Sequence, residues 1–159
     1  DGNAALCISI LPDGSLDEGS LKMLKEVGEG MRLNGEAVYG SRAWKIPGEG
    51  EMVDGKLKML PGGKLERSQA DFKFEPQDFR FTTGKNGALY AFCMTVPKSG
   101  TQLKIKSLGT NANNLNKPIK EVNLLGYQGN LKWKQDTDGL TITCPEEMPF
   151  VTSIVFRIK

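Results

Sequence analysis

Histidine, cysteine and paired carboxylates carry most enzyme chemistry, and the first is missing here: the 159 residues contain no histidine. A serine or cysteine triad of the usual kind needs an imidazole to take and return the proton, so that chemistry is excluded. Cys7, Cys93 and Cys144 are widely spaced, form no C-x-x-C pair and have no histidine to complete a zinc site. Each lies in an apolar segment and is expected to be a buried free thiol. A Cys93–Cys144 disulfide between two strands is the alternative. Gly48, Gly50, Gly62 and Gly63 lack the spacing and the GK[ST] ending of a phosphate loop. Asp136-x-Asp138-Gly139 lacks the further oxygen ligands of a calcium loop and reads as a hairpin turn. The expectation is therefore no metal and no cofactor.

Paired carboxylates remain, because glycoside hydrolysis needs only two acids flanking a bond. Most acids here fall on a solvated helix face, in turns or in a glycine-rich connector. Glu36 sits between a helix stop and Ala37-Val38-Tyr39, the one semi-buried setting, where an ion pair or hydrogen bond fixing the chain's exit is expected. Trp44 and Trp133 have rings that could stack on a sugar. Trp133 alternates with Leu131 in a strand and reads as core, whereas Trp44 reads as a wedge between domains. The residues alone describe a scaffold without an active site.

Three parts must position these side chains. Residues 1–44 begin with a near-continuous apolar run at 3–10, as in a strand buried on both faces of a parallel sheet. After the turn Pro12-Asp13-Gly14, Asp17 can cap a helix with Glu18 near its positive end. Leu21, Leu24, Val27, Gly28 and Met31 form one apolar stripe. Asn34-Gly35 is expected to stop the helix in the left-handed conformation. This is half of a βαβ unit without a partner strand, expected to be unstable alone. Residues 45–70 read as a Gly/Pro-rich connector, with a short hairpin over 52–59 and Asp54-Gly55 at its turn.

Residues 71–159 are a series of short alternating strands broken by turn signals every ten or so residues. Asn86-Gly87 and Asp138-Gly139 are expected at tight hairpin turns with positive φ. Phe79 and Phe81 share a face, as do Leu103 and Ile105, Leu140 and Ile142, and Ile154, Phe156 and Ile158. The fold class is mainly β: an antiparallel sandwich with one solvated face per sheet, preceded by a strand–loop–helix.

Composition agrees with a globular protein, at 38% hydrophobic and 25% charged residues. Lysine plus arginine exceed the acids by only 21 to 19, so neither nucleic acid nor an anionic membrane is expected as a partner. The longest apolar runs, such as 4–8, are far short of the roughly 20 residues a membrane span needs. The chain begins at Asp1 with strand-like residues, as expected of a processed protein or a piece of a longer one.

NGEAVYGSRAW (34–44) closely resembles the N-G-E-A-I-Y-G-T-R-P-W segment after the last barrel helix in α-L-fucosidases of glycoside hydrolase family 29. GNAALCISILPDG (2–14) resembles that family's last barrel strand and turn. LKMLKEVGEGMRL (21–33) is similar to its last helix, and FEPQDFRFTTGKNGALYAF (74–92) to its first sandwich hairpin. The resemblance runs in order over nearly the whole chain. It implies a (β/α)8-like barrel followed by a β-sandwich, and retaining release of terminal α-L-fucose by an aspartate nucleophile and a separate general acid. Those acids belong to earlier barrel strands, so the resemblance implies no catalytic residue in this chain. The implied partners are fucosylated glycans through the parent enzyme and a catalytic barrel amino-terminal to this chain. The implied location is extracytoplasmic. Cys7 and Ser9 replace the family's Asn and Gly near the strand's carboxyl end, a substrate-lining position in such barrels. Asn34, Gly35, Glu36, Tyr39 and Trp44 are expected to form a structural domain junction. The competing expectation is a stand-alone carbohydrate-binding or structural sandwich using Trp44, Trp133, Tyr90 and Tyr127.

Overall fold

The computed structural model describes residues 5–50, 59–60, 64–65, 74–85, 87–149 and 152–159. The expected hairpin at 52–59, most of the strand at 72–74 and Asn86 lie outside the described residues. In chain order the elements are α1 (Glu18–Asn34), β1 (Arg42–Glu49), β2 (Met59–Leu60), β3 (Lys64–Leu65), β4 (Phe79–Thr83), β5 (Leu89–Cys93), β6 (Gln102–Ile105), β7 (Val122–Leu124), β8 (Lys132–Asp136), β9 (Gly139–Thr143) and β10 (Ile154–Ile158). Short 3-10 turns occupy Gly35–Ala37, Lys106–Leu108 and Thr110–Ala112.

Period-two alternation sends every second residue of a strand to the same face. Phe79 and Phe81 of β4, Ala91 of β5 and Phe156 of β10 therefore meet Leu103, Ile105, Leu140 and Ile142 of β6 and β9 in one buried core. Burying each large apolar side chain contributes roughly 1.5–3 kcal/mol. The strands form a five-stranded sheet ordered β1-β4-β5-β10-β7 and a three-stranded sheet ordered β6-β9-β8, antiparallel throughout. β2 and β3 pair separately over two residues each.

Several expectations change. Residues 5–10 form no strand, and Leu6 and Ile10 are exposed. A parallel strand is held by neighbours on both sides, and none of the described strands flanks this segment. The edge strand β1 occupies 42–49, overlapping the stretch read as connector from residue 45. Its register slips between Ala43 and Gly48, so that 44–47 bulge away from β4. Pro47, which has no N–H, is tolerated at such a bulge on an edge. Gly87 does have the positive φ expected at the β4–β5 turn, 75°. The β8–β9 turn is centred on Thr137 and Asp138, since Asp136 already pairs with Gly139. Neither Asp138 nor Gly139 has a positive φ. Close approach crowds this turn: a Cβ on Gly139 would lie 3.0 Å from the Lys104 side chain and 3.1 Å from the Ile105 carbonyl oxygen, and one on the facing Gly109 would lie 2.6 Å from the Gly139 nitrogen.

The solvated-face expectation holds for the three-stranded sheet, whose Lys104, Lys132 and Lys134 point to water. It fails for the five-stranded sheet. There Tyr90, Val155, Ala88 and Leu125 form a second buried cluster with Ala37, a residue from outside the sandwich strands.

Helix α1 starts as expected. The Asp17 carboxylate accepts a hydrogen bond from the Ser20 backbone N–H at 2.9 Å, and the Ser20 hydroxyl donates to its second oxygen at 2.6 Å. The Ser20 hydroxyl, then the Ser20 N–H, hold the Asp17 carboxyl below the usual carboxylate range. Most of the apolar stripe is left uncovered among the described residues: Leu21, Leu24 and Val27 are 53%, 36% and 47% exposed.

Candidate functional site

Of the expected junction residues, Asn34, Gly35, Glu36 and Tyr39 lie together where α1 meets the outer face of the five-stranded sheet, whereas Trp44 packs on the inner core. α1 ends at Asn34, and the chain tightens at once into the 3-10 turn Gly35–Ala37. Gly35 keeps a right-handed φ of -58°, so the expected left-handed stop is not what ends the helix. The Tyr39 ring folds back over Gly35: a Cβ there would come within 2.8 Å of Tyr39 Cε2, so a larger residue would displace that exposed ring. The Val38 and Tyr39 N–H groups both donate to the Gly35 carbonyl, at 3.0 and 2.7 Å. The left-handed turn falls later, at Gly40, with φ 65°.

This tight loop is fixed to the sandwich at four points. Asn34 and Ala37 are buried. The Thr82 hydroxyl of β4 donates to the Ala37 carbonyl at 2.8 Å. Arg157 of β10 donates to the Glu36 carboxylate at 3.4 Å, an ion pair between partly exposed side chains. Such a pair is worth at most about 1 kcal/mol, so it orients the loop more than it stabilises it. Trp44, half-buried on β1, meets Phe81 edge-on with ring centres 5.4 Å apart. Glu36 thus bonds to Arg157, Tyr39 stays exposed over Gly35, and Trp44 packs on the inner core beside Phe81 and not as the expected wedge between domains. Arg157, Thr82 and Ala37 are partners that the sequence did not single out. The alternation along β10 was the available signal for Arg157, since it puts that residue opposite the core face of Phe156 and Ile158.

Cys7 and Ser9 lie apart from this cluster, exposed and outside regular structure. Cys7 is therefore not the buried thiol expected. Cys93 and Cys144 are buried free thiols, without the alternative disulfide. Burial pushes both thiols up to about 11. Only the thiolate attacks a thiol reagent. Native protein at pH 8 is expected to titrate at one of its three cysteines, with Cys93 and Cys144 reacting only after denaturation. A Cys7→Ser chain that still reacts rapidly at one site would contradict this placement.

The carboxylates have structural partners. Glu49 accepts from the Lys106 and Ser107 N–H groups, both at 2.8 Å, and so caps a 3-10 turn. Asp78, buried at the foot of β4, accepts from the Glu75 N–H at 2.7 Å. Asp138 pairs with Lys104, whose hydrogen bond holds that carboxyl below its usual range. Among the described residues, no three His, Cys, Asp or Glu side chains gather where a metal could sit. Of the aromatics considered for sugar stacking, Tyr90 is buried, and Trp133 and Tyr127 pack against the core.

Comparison with known proteins places this architecture. The chain is 27% identical over 156 residues to mouse tissue alpha-L-fucosidase, a match covering 98% of this chain and 27% of that protein. Against human tissue alpha-L-fucosidase the identity is 28% over 153 residues, covering 93% and 25%. The chain therefore spans about a quarter of the length of these curated relatives. Among solved structures, it shares its fold with a glycoside hydrolase family 29 α-L-fucosidase from Bacteroides thetaiotaomicron, trapped as a covalent intermediate. That match has a TM-score of 0.57 at 16% identity, and covers 96% of this chain and 28% of the other. The family model of the alpha-L-fucosidase C-terminal domain matches residues 73–159, more than half the chain and the whole run of strands from β4 to β10. With both sheets and the intervening turns inside that match, the chain belongs to the α-L-fucosidase C-terminal domain family.

Proposed function

We propose that this chain is the carboxy-terminal portion of a retaining α-L-fucosidase that releases terminal α-L-fucose from glycans, and that it supports the catalytic barrel without catalysing the reaction. In this reading residues 1–44 supply the barrel's last strand and helix and its exit onto the sandwich, 45–70 connect, and 71–159 form the supporting sandwich. The carrying observation is α1, whose exposed Leu21, Leu24 and Val27 form an apolar stripe with no described partner. Burying such a stripe against a sheet would stabilise by roughly 1.5–3 kcal/mol per side chain, which is the kind of term that docks a barrel helix. Residues 5–10 have the composition of a strand and lack strand neighbours, which supports the same reading. Cys7 and Ser9 would then line the barrel mouth, and the parent would act outside the cytoplasm.

The test is complementation. The chain alone is expected to release no nitrophenol from an aryl α-L-fucoside. Co-expression with the upstream barrel segment of its own reading frame is expected to restore turnover, and Leu24→Asp with Val27→Asp to abolish that rescue. Turnover by the chain alone, or rescue indifferent to those two changes, would overturn the proposal.

A further inference from the structure

A groove of about 360 Å3 crosses the end of the sandwich where β1, the β4–β5 turn and the loop at 109–118 meet. Leu115 and Ile158 give it an apolar floor, the half-buried indole of Trp44 lines it, and Asn114, Asn116 and Lys117 supply its polar lining. A smaller hollow of about 190 Å3 continues from it along the same loop. The volume is within the range of small-molecule sites, with mostly apolar walls and a few convergent polar groups.

The loop is held in place from both ends. The Gln135 amide donates to the Leu108 carbonyl at 2.9 Å, and its oxygen accepts from the Ile119 N–H at 3.4 Å. The Asn114 amide donates to the Ser107 carbonyl at 3.0 Å, which leaves its oxygen for a ligand. Asn113, with φ 51°, is the only non-glycine residue in the left-handed region among those described. It ends the 3-10 turn Thr110–Ala112, a place asparagine takes readily.

The lining specifies the ligand's chemistry. No described Asp or Glu lines either hollow, and Lys117 has no ion-pair partner among the described residues. The ligand is therefore not a cation. Side-chain amides both donate and accept, which matches a hydroxyl group that does the same. An indole offers a flat apolar face, which matches the C–H face of a pyranose ring. On Trp44 the Lys45 ammonium, 5.9 Å from the ring centre, shares one of the two faces.

We propose that this groove binds a glycan, with one pyranose ring stacked on Trp44 and its hydroxyls bonded to the Asn114 oxygen, Asn116 and Lys117. The inference takes its ligand class partly from the parent activity proposed above. Its test needs no turnover, so the two can fail separately.

The chain has two tryptophans, and Trp133 lies outside the groove, so a Trp133→Phe chain reports on Trp44 alone. Methyl α-L-fucopyranoside or methyl β-D-galactopyranoside is expected to change that fluorescence saturably, with a Kd on the order of 1–10 mM. Saturation-transfer NMR on the unaltered chain gives the same reading if Trp133→Phe disturbs the core. Asn116→Ala with Lys117→Ala, both at exposed positions, is expected to weaken binding about tenfold or more. No saturable response by either method, or binding unchanged in the double variant, overturns the proposal. A response to sodium glucuronate with none to the neutral sugars also overturns it, because that is anion pairing at Lys117.

Discussion

A Gly50→Ala chain is expected to lose about 3–5 kcal/mol of stability, measured as the fall in unfolding free energy in urea. Gly50 follows β1 with φ 109°, a backbone conformation that residues with a Cβ rarely adopt. A Cβ there would also lie 2.7 Å from both the Asp78 Cα and the Gln77 carbonyl oxygen, so backbone, not a flexible side chain, would have to move. The turn it would push carries much of the end of the sheet. Asp78 is buried, its carboxylate accepts from the Glu75 N–H, and its carbonyl accepts from the Met94 N–H at 3.0 Å. Gly28→Ala is the control, since Gly28 lies within α1 and the added methyl group would have no atom within 4 Å. That change is expected to raise helix stability by about 0.5–1 kcal/mol. Equal, small effects at the two glycines would show that β1 does not end against Asp78.

Truncation should locate the boundary between the piece that folds with the sandwich and the piece that does not. Removing residues 1–30 is expected to leave the main unfolding transition within about 1 kcal/mol of the full chain, because α1 presents Leu21, Leu24 and Val27 to solvent while Leu33, against Gly126, stays in place. Removing 1–44 is expected to cost about 3–5 kcal/mol more. The second deletion uncovers Tyr90 and Val155 by taking away Ala37, and removes the partners of Thr82, Arg157 and Phe81. Native-state hydrogen exchange provides an independent check. Amides of residues 5–30 should exchange well before those of β4, β5 and β10. Equal protection in a monomer, or equal cost for the two deletions, would show that α1 is part of the sandwich's cooperative unit.

These boundaries show where the sequence was readable. From Phe79 onward, local alternation agrees with the tertiary structure, so each strand from β4 to β10 could be located from its own residues, although the β8–β9 turn falls one residue earlier than Asp138-Gly139 suggested. β1 could not. Trp44 and Ile46 do alternate with Lys45 and Pro47, but the run breaks on Pro47 and Gly48, so it read as connector, and its ladder comes from pairing with β4, about 35 positions further along the chain. The run at 3–10 fails in the opposite direction: its composition is that of a strand, but composition supplies no ladder. At the junction, Asn34-Gly35 marked the end of α1, although Gly35 keeps a right-handed φ and the left-handed turn falls at Gly40. The partners Arg157 and Thr82 are more than 40 positions away from Glu36 and Ala37, a separation that no local pattern bridges. The groove beside Trp44 joins three distant segments and was invisible for the same reason.

The strand edges determine how this chain would fail when concentrated. β1 breaks its outward row of N–H groups with a bulge and Pro47, and β7 offers only three residues. On the other sheet, β6 and β8 carry Lys104, Lys132 and Lys134. Short, bulged or lysine-bearing edges are poor templates for adding a strand from another molecule. Self-association should therefore pass through the sticky side of α1. It should give helix-mediated, detergent-reversible clusters that do not bind thioflavin, instead of fibrils.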